Sequence, residues 1–264
     1  MSNAGELFEE LINVIHKLRD PKSGCPWDKE QTHASLKPYL IEESYETLDA
    51  IDNHPEKLGE ELGDVLLQVM LHSEIASETG AFDAAKVVDN ITKKLISRHP
   101  HVFGEVKVEG TAEVLKNWEQ IKQKSLKEGE SILDGIPKGM PALLRAHRTG
   151  EKVAGVGFEW EKTEEVKDKV FEELREFLEV SLDPKESRDR LEDEYGDILF
   201  SLTQLARRLK FNSEDLLQRA TDKFSRRFRE VEKRAGPQLK EKTVKELDAI
   251  WENVKEEERA TRSS

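Results

Sequence analysis

The sequence predicts an all-α protein built as a tandem repeat of one helical unit, and three observations carry that reading. Apolar residues recur at spacings of three and four, as in Leu62, Val65, Leu66 and Val69, while runs alternating every two residues are scarce. All four tryptophans pair at one offset, Trp27 with Trp160 and Trp118 with Trp251, each 133 positions apart. The block Glu61-Leu-Gly-Asp64-Val-Leu-Leu meets Glu194-Tyr-Gly-Asp197-Ile-Leu-Phe at the same 133. Self-similarity at a fixed period decides how every later motif is counted, because a feature kept in both copies is two observations rather than one.

The elements follow in order. Helices are expected over about Glu6 to Arg19, Ser35 to Ile51, through Leu62 to Val69, Ala84 to Ser97 and Ala112 to Lys127. Pro100, Gly104 and Gly110 punctuate a loop, and the Gly, Pro and Ser of 129–141 mark a linker. A second helical set runs to about Glu258. The predicted organisation is a first domain over 1–128, a linker over 129–141 and a second domain over 142–264. Glu42-Glu43-Ser-Tyr-Glu46 aligns with Glu172-Glu173-Leu-Arg-Glu176 at an offset of 130, so three residues are inserted before the 133 block, which predicts a longer turn there. Lys94 and Arg98 match Lys223 and Arg227 at 129, a compensating change downstream. Gly63 and Gly196 fall inside helices, where glycine costs about 1 kcal/mol, and predict close approach of a neighbouring helix.

Composition narrows the function. The 42 Lys and Arg against 55 Asp and Glu leave a formal charge of −13, which disfavours stable binding to nucleic acid or an anionic membrane. The longest apolar stretches, such as Val65 to Leu71, fall far short of the roughly 18 residues of a membrane span. The single Cys25 has no internal partner for a disulfide, and no charged and apolar leader opens the chain, so the cytoplasm is the expected compartment.

Acids carry the chemistry. On a helix, residues three or four apart share a face, so Glu42, Glu43 and Glu46 bring at least two carboxylates together, as do Glu61 and Asp64 on the next helix. Asp64 directly precedes Val65-Leu66-Leu67, and a carboxylate drawn toward a core must be neutralised, paired or ligated. A single EExxE would read as a solvated face; the same five acids kept twice read as a cage of oxygen ligands for a hard divalent cation such as Mg²⁺. Six of the seven histidines precede position 102, and Cys25 faces Phe158 across the repeat, so a site common to both copies uses neither imidazole nor thiol. Lys94 with Arg98, and Lys223 with Arg227, sit at i and i+4 and suit either phosphate oxygens or surface ion pairs. Trp118 with Lys122, and Trp251 with Lys255, repeat that spacing and suit either base stacking or core packing.

These motifs resemble the MazG family of nucleoside triphosphate pyrophosphohydrolases, an all-α superfamily, over nearly the whole chain. The family pattern, EExxE followed by ExxD, occurs as Glu42-Glu43-x-x-Glu46 with Glu61-x-x-Asp64 and again as Glu172-Glu173-x-x-Glu176 with Glu194-x-x-Asp197. Gly24-Cys25-Pro26-Trp27-Asp28 and Arg98-His99-Pro100-His101-Val102-Phe103-Gly104 also look like the family's first domain. The resemblance implies two MazG-like helical bundles, Mg²⁺ as cofactor, and hydrolysis of an NTP to NMP and pyrophosphate with broad, house-cleaning specificity. It implies metal ligation by Glu43, Glu46, Glu61, Asp64, Glu173, Glu176, Glu194 and Asp197, with Glu42 and Glu172 as catalytic bases or water-orienting groups. Lys94, Arg98, Trp118, Lys122, Lys223, Arg227, Trp251 and Lys255 would contact substrate, and the chain would form a homodimer. The competing readings are a narrower enzyme of the dUTP or phosphoribosyl-ATP type and a non-catalytic helical nucleotide-binding or regulatory module.

Overall fold

The computed structural model describes residues 3–110, 113–114, 129–183 and 185–262. It divides into two compact units, Met1–Val114 and Leu115–Ser264. Every described element is helical, without a strand among the described residues.

In the first unit, α1 (Ala4–Leu18) starts where Asn3 accepts a hydrogen bond from the Gly5 amide, satisfying one orphan donor of the first turn. A short α2 (Pro26–Glu30) is followed by α3 (Lys37–Asn53) and α4 (Leu58–Glu78), which pack along each other. The chain continues into α5 (Ala84–Arg98), capped by Asp83, and a single turn, α6 (Pro100–Phe103), within the segment expected as plain loop. Proline suits a first helical turn because its missing N–H would be unpaired there in any case. Ile15 of α1, Leu36, and Met70, Leu71 and Ile75 of α4 form the core.

A buried arginine ties this unit together. The Arg19 guanidinium donates to both oxygens of Glu78, at 2.6 and 2.9 Å, and to the carbonyls of Asp28 and Gln31. One side chain thereby fastens the end of α1, the α2 segment and the end of α4. The arginine holds the Glu78 carboxyl below the usual carboxylate range.

The second unit repeats the plan with α7 (Ala142–Ala154), α8 (Thr163–Leu182), α9 (Arg188–Arg208), α10 (Ser213–Ala235), a 3₁₀ turn (Gly236–Glu241) and α11 (Val244–Arg262). The α8/α9 pair is the counterpart of α3/α4 and packs in the same way. Gln204 of α9 donates to the Ala146 carbonyl, and a Cβ at Gly150 would collide with the Gln204 side chain, so glycine lets α7 approach α9.

The register shifts between copies are taken up mainly at helix ends, not in the turns. Between α3 and α4 lie residues 54–57, and between α8 and α9 lie 183–187, one residue more; relative to the aligned positions α8 ends one residue earlier than α3 and α9 starts three residues earlier than α4, capped by Ser187. The expected longer turn is therefore largely a displaced helix. Gly63 and Gly196 also differ from expectation: a Cβ at either would meet nothing within 4 Å among the described residues, so no described neighbour requires them.

Both positions lie beside exposed apolar stripes. On α4 the stripe is Leu62, Leu66 and Val69, and on α9 it is Tyr195, Leu199 and Leu202, the same positions at an offset of 133. The α3 stripe of Ile41, Tyr45, Leu48 and Ile51 has its α8 counterpart in Phe171, Leu174, Leu178 and Leu182. Ile41 and Leu48 align with Phe171 and Leu178 at 130, whereas Ser44, Tyr45 and Asp52 become Leu174, Arg175 and Leu182.

Candidate metal and active site

Helices α3 and α4 bring three of the expected acids to one point. Carboxylate oxygens of Glu43, Glu46 and Glu61 all lie within 4.8 Å of one another. Thr47 of α3 approaches the Glu61 carbonyl at 3.4 Å, a further link between the two helices beside the acids. Asp64 stands outside the trio but is close enough to act on it. Burial, followed by the charges of Asp64, Glu46, Glu42 and Glu61, pushes the Glu43 carboxyl above its ordinary value. Burial and the Glu46, Glu60 and Asp64 charges do the same to Glu61, with Lys57 opposing. Among the described residues no ion pair within the distance of a salt bridge neutralises Glu43, Glu46 or Glu61.

The acids border an open cleft of about 410 Å³ lined by Glu42, Tyr45, Glu46, Asp49, Ala50, His54, Lys57 and Glu61. Glu42 is thus placed at the cleft beside two of the clustered acids. Asp49, His54 and Lys57 were not singled out from sequence, although Asp49 lies three residues beyond Glu46 and Lys57 four before Glu61. His54 pairs with Glu56 at 3.4 Å. The other histidine contacts lie elsewhere: His33 meets His72 at 2.8 Å with stacked rings, and His99 packs against His101.

In the second unit Glu173 and, from α9, Glu194 and Asp197 form the corresponding trio, again within 4.8 Å. Glu176 lies outside it. Thus the first copy assembles both EExxE ligands with the glutamate of ExxD, and the second assembles one EExxE ligand with both ExxD acids. The second trio also carries cations. The Lys169 ammonium is 2.8 Å from an oxygen of Glu172 and 2.8 Å from an oxygen of Glu173, and these bonds push its own titration upward. Arg190 lies 3.7 Å from Glu194. Arg190 is the counterpart of Lys57 at 133, but Lys169 aligns at 130 with Tyr39, which instead packs edge-on against Trp27. The spacing of Lys169, three and four residues before the glutamates, is the signal that sequence reading passed over.

The described residues expected to contact substrate lie on other helices than the acids. Lys94 and Arg98 occupy the last two turns of α5, with Lys94 exposed. On α10 the Arg227 guanidinium bonds Glu258 at 2.9 Å and lies 5.9 Å over the Trp251 ring, which also packs on Phe224 at 5.0 Å. Lys223 is exposed, and Lys255 bonds Glu252 at 2.7 Å. Arg227 and Trp251 therefore meet each other, not the acid trio. Trp118 and Lys122 lie outside the described residues.

The donor set fits a hard divalent cation. Three carboxylates converge in each unit, and in the first they repel one another with no ion pair to them among the described residues, an arrangement that a cation relieves. The chain matches the model of the MazG nucleotide pyrophosphohydrolase domain twice, over residues 31–103 and 161–232. It is 43% identical over 257 residues to a nucleoside triphosphate pyrophosphohydrolase of Escherichia coli, covering 95% of this chain and 98% of that protein. It is 46% identical over 260 residues to the nucleoside triphosphate pyrophosphohydrolase/pyrophosphatase MazG of Thermotoga maritima, covering 97% and 98%. An uncharacterised Bacillus subtilis protein, YabN, is 46% identical over 257 residues, 96% of this chain and 52% of that protein. With both trios built by the segments that the family model spans, and with relatives similar from end to end, the chain belongs to the MazG nucleotide pyrophosphohydrolase family.

Proposed function

We propose that the protein is a Mg²⁺-dependent nucleoside triphosphate pyrophosphohydrolase that releases NMP and pyrophosphate, with broad specificity suited to clearing non-canonical nucleotides. The observation that carries the reading is the acid trio built twice on equivalent helix pairs. Glu43, Glu46 and Glu61, with Asp64 behind them, would hold metal in the first unit, and Glu173, Glu194 and Asp197, with Glu176, in the second. Bound there, Mg²⁺ would screen the polyphosphate charge. Glu42, at the cleft, accepts a proton from water and orients it toward the α-phosphorus; Glu172 is its counterpart. Lys94, Arg98, Lys223, Arg227 and Lys255 supply positive charge for phosphate oxygens, and Trp251 an aromatic face; Trp118 and Lys122 are assigned the same roles by their repeat partners. The cleft of the first unit carries Glu42, Glu46, Asp49, Glu61 and Lys57, groups that address metal and phosphate, beside Tyr45, Ala50 and His54.

Self-association belongs to the same proposal. Apolar stripes recur on α3, α4, α8 and α9, beside glycines that no neighbour among the described residues requires. Contiguous apolar faces of this kind mark interaction surfaces, and a second copy covers them in a homodimer. No helix among the described residues is long and apolar enough to cross a membrane, and the net charge of −13 opposes stable nucleic-acid binding; a cytoplasmic location and a linker over 129–141 complete the proposal.

The test is incubation of the full chain with a panel of NTPs and Mg²⁺, with products resolved by chromatography. NMP and pyrophosphate are expected, and their release is lost when Glu43→Gln and Glu173→Gln are combined. NDP with phosphate, or unchanged turnover in the double variant, overturns the assignment. A large kcat/KM preference for one nucleotide would establish the narrow enzyme, and tight nucleotide binding without turnover the regulatory module.

A further inference from the structure

The two acid trios differ in one respect that the family pattern does not contain. In the first unit Glu43, Glu46 and Glu61 face one another without a bonded cation among the described residues, whereas in the second Glu173 is capped by an ammonium of the same chain. Lys169 sits on α8 one turn before Glu173 and reaches it at 2.8 Å, the distance of a charge-assisted hydrogen bond, while also bonding Glu172. Glu173 is only 7% exposed, so its carboxylate has little water with which to replace that partner. The corresponding position of the first copy is Tyr39, which carries no charge and packs on Trp27. A second cation is common to both copies by position, Arg190 standing where Lys57 stands; Arg190 lies 3.7 Å from Glu194 but bonds Glu186 more closely, whereas Lys169 has no cationic counterpart in the first copy.

A carboxylate oxygen held by an ammonium must give up that bond, or share it, before it coordinates a divalent ion. Resting on the metal-binding role given to these acids above, we propose that Lys169 is a built-in counter-cation that competes with the divalent metal for Glu173, so that the second site binds metal more weakly than the first. The bond to be given up and the ammonium's own positive charge beside a bound cation together weaken binding by about tenfold, ~1.4 kcal/mol. The two units then load at different concentrations of free divalent ion, and Lys169 sets the gap.

Titration of the full chain with Mn²⁺, followed by the electron paramagnetic resonance of the free ion, reads binding without turnover. In a chain whose first site is removed by Glu43→Gln with Glu61→Gln, adding Lys169→Met is expected to tighten Mn²⁺ binding about tenfold. Lys169→Gln, which keeps a hydrogen-bond donor but drops the charge, is expected to tighten it at least threefold. Lys167→Met, which removes a nearby lysine that pairs with Glu164 instead, is expected to change it less than twofold. In a chain whose second site is removed by Glu194→Gln with Asp197→Asn, Lys169→Met is expected to have no effect. Unchanged or weaker binding on loss of Lys169, or an equal effect from Lys167→Met, overturns the counter-cation while leaving the metal sites standing. Absence of Mn²⁺ binding in the unaltered chain overturns both.

Discussion

The same substitution is expected to have opposite effects on stability in the two copies when metal is withheld. At the 4.8 Å limit of the first trio, two unit negative charges repel by about 0.9 kcal/mol in water and about 3.5 kcal/mol at an effective dielectric of about 20. Glu46 is exposed and its side chain relaxes away, so Glu43→Gln is expected to recover about 1 kcal/mol in the first unit. In the second unit Glu173→Gln removes charge from a 2.8 Å pair with Lys169, which is 37% exposed and keeps Glu172. Screening and the remaining partner hold that loss to about 0.5–1 kcal/mol. Calorimetry of the full chain in a chelator reads both effects. Glu43→Gln should raise one transition by about 4 °C and Glu173→Gln should lower another by about 2–3 °C. Titration gives an independent sign: with its folded value above the ordinary 4.5, Glu43 binds its proton more tightly in the folded state, so metal-free stability falls as pH rises from 4.5 through the folded value. Glu43→Gln should flatten that slope and remove the gain in stability that Mg²⁺ gives the first unit, about 2.7 kcal/mol at a hundredfold excess over Kd. A Glu43→Gln protein less stable than its parent in chelator, or still stabilised in that unit by Mg²⁺ to the same extent, would refute the repulsive site.

Three further outcomes follow from the packing. Arg19→Met should destabilise the first unit by about 2–3 kcal/mol in urea melts, because Glu78 and two carbonyls lose their donor while Glu78 keeps access to water. Glu78 titrates below its ordinary 4.5, so the stability from this pair is present above 4.5 and lost as pH falls through the folded value, a loss that Arg19→Met should abolish. Gly63→Ala should strengthen α4 by about 0.8–1 kcal/mol, since its Cβ enters open space, yet weaken the homodimer in sedimentation experiments; an unchanged dimer would place the interface elsewhere. Arg227→Ala should lower kcat/KM for NTPs about tenfold, chiefly through KM, with a control in which Glu258→Gln, which frees rather than removes the guanidinium, has the smaller effect.

Helix content and duplication were legible because both are written in spacing. Apolar residues at three and four disclose a helix wherever it ends, and Trp27 with Trp160 discloses a second copy whatever the intervening turns do. The acids were legible for the same reason, since EExxE and ExxD fix which carboxylates share a face. Which acids converge was not, because Asp64 and Glu176 share faces with their neighbours yet stand outside the trios, a matter of rotamer and of the angle between helices. Lys169 escaped because a lysine one turn from two glutamates reads as ordinary surface pairing until Glu173 proves to be buried. Gly63 and Gly196 misled in an instructive way. Their cost in a helix implies a close neighbour, and the described residues supply none. The insertion near residue 184 was read as turn because sequence offsets count residues and not conformations; Ser187 converts most of it into helix.

The recurrence of one apolar face on both units creates a problem of addressing. In any assembly of two chains, a face on α3 and α4 meets either its own kind or the α8 and α9 face, and Leu62, Leu66 and Val69 are matched closely enough by Tyr195, Leu199 and Leu202 to leave those pairings nearly degenerate. Discrimination then rests on positions where the copies have diverged, among them Ser44 against Leu174, Tyr45 against Arg175, Ile51 against Ser181 and Asp52 against Leu182. An uncovered Asp or Arg penalises the wrong mate more than an extra leucine rewards the right one. In the proposed homodimer these substitutions would act as the labels by which each half finds its mate.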